Sequence, residues 1–143
     1  MKDPSGAIRT WLYGVFNGQV SYNAVAVPVY SVVPKDTVGN YIYIGQITAG
    51  AENDNSTKDS WINTYTVSIE IYSVQEANNA SYVPVDAIGS SVLQLIRTRT
   101  AATISGYTVV SRVLDSIVTD IMDFETKIVA VKIMNLTLII EEV

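Results

Sequence analysis

The sequence contains neither cysteine nor histidine. Without thiols there can be no disulfide framework and no thiolate metal site. Without imidazole, the Cys–His pair, the Ser-His-Asp triad and the usual zinc and iron centres are excluded as well. Charge is also sparse: only 16% of residues are charged, and the net charge is −5. The nine basic residues are scattered along the chain and form no stripe of the kind that neutralises phosphates. An acidic protein can nevertheless sit beside DNA if its task is to let the polymer slide past. No stretch approaches the ~20 apolar residues of a membrane span. The opening MKDPSGAIR has no apolar run behind a basic region, so no secretory signal is expected and synthesis in the cytoplasm is. The glycine-containing stretch Ala87-Ile-Gly-Ser-Ser91 lacks both a P-loop lysine and a dinucleotide fingerprint, so no nucleotide cofactor is expected. These absences point to a structural or interaction protein and away from an enzyme.

What is present is material for a core. The chain has 143 residues, 48% of them apolar, enough for one domain without staples. Asp3 and Pro4 predict a helix start, with Asp3 as N-cap. Ile8, Trp11, Leu12, Val15 and Phe16 then follow at helical spacing until Gly18 stops the run. Over 20–33 the residues turn to Val and Tyr, with a turn at Asn23-Ala24, which predicts a hairpin. Pro28 marks an edge strand or a bulge there. A strand over 41–47 is expected to be central. The polar segment 50–60, GAENDNSTKDS, reads as a mobile hairpin loop.

Over 61–74 Trp61, Tyr65, Val67, Ile69 and Ile71 alternate with Thr64, Thr66, Ser68 and Glu70, the signature of a strand with one core face. The period becomes helical over 77–100, where Val85, Ile88, Val92, Leu95 and Ile96 form a stripe and Gly89 permits close packing. Strands over 107–121 and 128–142 should pair as an antiparallel ribbon about the acidic turn 122–126. The last strand changes phase: Val129, Val131 and Ile133 share one face, Leu136, Leu138 and Ile140 the other. Either a bulge near Met134-Asn135 restores a single face, or both faces are buried, one against helix and one against another subunit. The predicted fold is α+β: a mostly antiparallel sheet of five to six strands with a short N-terminal helix and a long central one.

The strongest chemical candidate is the acidic group Asp115, Asp120, Asp123 and Glu125, which could hold Mg²⁺ or Ca²⁺ if its carboxylates converged. On a continuous strand Asp115 and Asp120 point to opposite faces, and no DxDxDG loop is present, so a solvated hairpin tip is the better reading and no metal is expected. Arg97, Arg99 and Arg112 could grip a neighbour's carboxylates or serve as ordinary helix-end and surface charge. Nine tyrosines and two tryptophans suit an interface, Tyr22, Tyr30, Tyr41, Tyr43 and Tyr72 lying on predicted strands.

The chain resembles the tail-completion family of tailed phages, the tail terminators and related head-tail joining proteins. The resemblance rests on Val27-Pro-Val-Tyr30 with Val33-Pro34, Tyr41-Ile-Tyr-Ile-Gly45, and Tyr65-Thr-Val-Ser-Ile-Glu-Ile-Tyr72. It continues through Asp86-Ala-Ile-Gly89 and Lys127-Ile-Val-Ala-Val-Lys-Ile133. It implies a virion protein at the head-tail junction, forming a homo-oligomeric ring of six or twelve copies that meets tail tube and neck or portal proteins. DNA would pass through the channel without specific binding, and no membrane would be involved. The charged residues placed to meet partners are Glu52, Asp54, Lys58 and Asp59 in the polar loop, Arg97 and Arg99 at the helix end, and Asp123 and Glu125 at the acidic turn. The loop at 50–60 is a departure from the family and, on this reading, a docking arm. A small-ligand or peptide-binding α+β domain is the alternative.

Overall fold

A computed structural model describes residues 3–50, 62–98 and 103–143. The element order is α1 (Ser5–Phe16), β1 (Ser21–Tyr22), β2 (Val25–Ala26), β3 (Val29–Tyr30), β4 (Gly39–Ala49), β5 (Ile62–Glu76), a 3₁₀ turn (Ala77–Asn79), α2 (Val83–Thr98), β6 (Thr103–Ile104), β7 (Tyr107–Asp123) and β8 (Lys127–Glu142). Six strands form one sheet in the order β3-β4-β5-β8-β7-β6, and β1 and β2 form a separate two-stranded hairpin. The fold is α+β, and every pairing in the main sheet is antiparallel except β3 with β4.

The predicted alternation is observed within β5, Trp61 lying outside the described residues. Tyr65, Val67, Ile69 and Ile71 are buried, while Thr64, Thr66, Ser68 and Glu70 are half-buried on the opposite face. Both helices contribute to the same core as the first set. Ile8, Leu12, Val15 and Phe16 of α1 and Val85, Ile88, Val92 and Ile96 of α2 join Ile42, Ile44, Met134, Leu136, Leu138 and Ile140 of the sheet. Each such aliphatic side chain, fully buried, stabilises the fold by about 1.5–3 kcal/mol relative to an exposed one. The β1–β2 turn falls at Asn23 and Ala24, both with positive φ, as a two-residue hairpin turn matched to strand twist requires.

One boundary differs from expectation for a local reason. The first helix begins at Ser5, one residue after Pro4. The Asp3 carboxylate accepts hydrogen bonds from the Ser5 amide at 3.0 Å and its hydroxyl at 2.7 Å, so it serves the first turn without being the N-cap. The helical period expected within 77–100 begins at Val83, with Pro84 and Asp86 near the start as expected from the sequence. Gln75 holds the preceding segment: its side chain accepts from the Ser81 amide at 2.7 Å and donates to the Ser81 carbonyl at 2.8 Å. The Ser81 hydroxyl in turn accepts from the Val83 amide.

Strand β4 is not central. Its outer edge is covered only by two-residue β3, and the middle of the sheet is β5–β8. Of the two readings of the last strand, a bulge within it is not the one found, for β8 pairs with β5 without interruption from Lys127 to Glu141. The irregularities lie in β7, between Val109 and Ser111 and between Leu114 and Ser116, the latter opposite Leu136 and Asn135. The phase change of β8 is therefore real: Ala130, Met134, Leu136, Leu138 and Ile140 face the helices, and Val129, Val131 and Ile133 lie on the other face.

Candidate functional site

The two faces of the sheet differ in cover. One holds α1 and α2; the other carries no helix among the described residues. Cross-strand register assembles that open face from Tyr30, Tyr41, Tyr43, Tyr72, Val131, Ile133 and Val118. Tyr41 stacks on Tyr72 with ring centroids 5.1 Å apart, and Tyr30 tilts against Tyr41 at 5.9 Å. The Tyr72 hydroxyl donates to Glu70 Oε1 at 2.8 Å. Burial first, then the Glu70 charge, pushes the Tyr41 hydroxyl pKa up; burial and then the Glu70 hydrogen bond do the same to Tyr72. Both phenols therefore stay neutral and act as hydrogen-bonding tips on an apolar body. Val118 and Val113, 54% and 52% exposed, continue the apolar surface toward the β7 edge.

Gly45 allows this patch to form. A Cβ there would meet Glu70 Oε2 and lie 3.2 Å from the Ser68 carbonyl and 3.3 Å from the Tyr43 ring. It sits at the β4 irregularity between Ile44 and Ile47, where the Ile44 carbonyl accepts a 2.7 Å hydrogen bond from Arg9 Nη1 of α1. The helix on one face thus fixes the bulge that makes room for Glu70 on the other.

The carboxylates considered as an ion site do not converge, and among the described residues no group of three Asp or Glu side chains could hold a metal. Asp115 and Asp120 nevertheless share the open face, contrary to the alternation argument. The irregularity between Leu114 and Ser116 lets Asp115 accept from Thr137 Oγ1, and Asp120 lies opposite Val131. Five residues of strand still part them by roughly 16 Å. Asp123 and Glu125 are exposed at the far end of the β7–β8 ribbon, where reciprocal Phe124–Lys127 backbone bonds of 2.9 and 3.2 Å close the turn. Phe124 is 55% exposed between them.

Arg97 is exposed in the last turn of α2. It shares a cleft of about 430 Å³ with Arg112 of β7, over Leu93, Ile96, Leu114 and Leu136. Arg112 Nη1 is buried and has no hydrogen-bond partner among the described residues. The sequence offers Arg97, Arg99 and Arg112 as a set, but the cleft itself depends on the β5–β8–β7 register and leaves no local signal. Glu52, Asp54, Lys58, Asp59 and Arg99, and the docking arm with them, lie outside the described residues. No protein-family model matches the chain, and no curated protein matches it in sequence.

Proposed function

We propose that the chain is a structural subunit of a homo-oligomeric ring at the head-tail junction of a tailed-phage virion, a tail terminator or connector component that caps the tail tube and leaves a channel for DNA. The observation that carries this reading is the sheet's unequal cover: helices on one face, and on the other an open face of tyrosines and valines set among Thr, Ser and acidic side chains, running to an exposed strand edge. Such a surface suits contact between protein subunits. Identical subunits joined by unlike surfaces close into rings when the rotation permits. A net charge of −5 discourages adhesion of a passing polyanion. The resemblance to tail-completion proteins supports a place at the head-tail junction, with neck, portal and tail-tube proteins as partners.

Negative-stain images of the purified chain test this reading. Closed rings of six or twelve copies with a central hole are expected. Two-fold dimers or isolated subunits at every concentration would overturn it. The alternative, a small-ligand or peptide-binding α+β domain, draws support from the cleft under Arg97 and Arg112, whose size falls in the range of small-molecule sites.

A further inference from the structure

The acidic ribbon tip and the arginine cleft are complementary in both charge and polarity. The tip presents exposed Phe124 flanked by the carboxylates of Asp123 and Glu125. The cleft presents an apolar floor, Ile96 and Leu136, flanked by the guanidinium groups of Arg97 and Arg112. Arginine binds carboxylate through paired N–H donors, and a buried arginine N–H without an acceptor is costly to leave so. That cost falls here on Arg112 Nη1. The open β7 edge leaves an approach: β6 pairs only with Tyr107 and Thr108, and the rest of β7 has β8 on one side and no strand on the other among the described residues.

The two features cannot meet within one molecule. Both lie on β7, and the twelve residues from Arg112 to Phe124 separate them by roughly 35–40 Å of extended strand. A tip that fills a cleft must therefore fill that of another copy, and on the ring reading that copy's tip goes on to a third. This is a heterologous contact, the kind that propagates until it closes.

We propose that the β7–β8 tip of one copy seats in the α2–β7 cleft of its neighbour, Phe124 on the apolar floor and Asp123 and Glu125 against the arginines. The proposal rests on the ring reading and names its contact. Phe124 supplies burial, and the ion pairs set register and direction around the ring.

The absence of cysteine makes a clean test possible. Thr126→Cys places a thiol at the exposed tip and Leu93→Cys one at the cleft. The two single variants are mixed under assembly conditions and treated with a short bismaleimide, and cross-linked peptides are identified by mass spectrometry. The expected product joins 126 of one copy to 93 of another. In parallel, Arg97→Glu and Glu125→Lys should each raise the half-assembly concentration at least tenfold, and the doubly changed chain should recover most of that loss. A general loss of stability would not produce such recovery.

Rings without the 126–93 product, or rings indifferent to both charge changes, would overturn the contact and leave the ring reading standing. No oligomer at any concentration would overturn both. A monomer whose cleft binds benzoate, with loss of binding in Arg112→Gln, would assign the cleft to a small anionic ligand.

Discussion

Lys132 Nζ of β8 lies 2.8 Å from Asp86 Oδ1 in the first turn of α2, so one ion pair ties the long helix to the middle of the sheet. Gly89, one turn further along, makes room for the lysine stem: a Cβ there would fall 2.7 Å from Lys132 Cδ. The Lys132 side chain is only 15% exposed and that of Asp86 57%. Asp86 also complements the positive end of the helix dipole. Its loss strands a largely buried ammonium, whereas exchange of the lysine for an apolar chain of similar length removes the demand for a partner. Asp86→Ala is therefore expected to lower stability by about 1–2 kcal/mol, and Lys132→Met by less than about 1 kcal/mol. Urea denaturation of both variants measures the difference; equal losses would contradict it.

The same type of change should have opposite consequences on the two faces. Ile69 is fully buried beneath the helices, whereas Val118 is 54% exposed on the open face. Ile69→Asp buries an unpaired carboxylate at a cost of several kcal/mol, comparable with the stability of a whole domain, and the chain should not fold. Val118→Asp should stay within about 0.5 kcal/mol of the parent, as surface changes do, while weakening assembly. Circular dichroism and light scattering separate the two effects.

Gly45→Ala forces a methyl group against the Ser68 carbonyl and the Glu70 carboxylate. The carboxylate can swing away, but only by giving up the hydrogen bond from Tyr72; the carbonyl belongs to the β5 backbone and cannot. A loss of about 1–3 kcal/mol is expected. Thermal melts check it, and an unchanged midpoint would mean that the β4 bulge adapts.

Alkaline pH tests the tyrosines of both sheet faces. The folded-state pKa of Tyr72 is raised, chiefly by burial and then by the Glu70 hydrogen bond, and those of Tyr41 and Tyr65 are raised by burial. A raised folded pKa means that the unfolded chain loses its protons first, so this contribution is intact below about pH 10 and falls as pH rises from there. Melting temperature should decline above pH 10, and the decline should be shallower in Tyr72→Phe. An identical slope in the variant would remove Tyr72 from this account.

The parts of the fold legible in the sequence were those written in local periodicity. The strand containing Tyr65, Val67, Ile69 and Ile71 and the helical stripe Val85, Ile88, Val92 and Ile96 needed no knowledge of partners. The ribbon around Glu125 followed from two apolar runs and an acidic break. What long-range register decides was not legible. The phase change of β8 could be seen in Val131 and Leu136, but whether it meant a bulge depended on the pairing with β5 and β7. Asp115 shares a face with Asp120 because the irregularity lies in β7, a placement that simple alternation cannot supply. Pro84 and Asp86 marked the start of α2 at Val83, but the Gln75–Ser81 pairing that holds the segment before it spans six residues and left no local signal. The arginine cleft escaped for the same reason: Arg97 and Arg112 meet only through the sheet.

The measurement that tests the ring reading most directly is the solution mass of the unmodified chain across a concentration series. The account predicts one closed oligomer, six or twelve copies in mass, that neither grows at high concentration nor passes through a dominant dimer. A strict monomer throughout, or an open-ended distribution of masses, would contradict it.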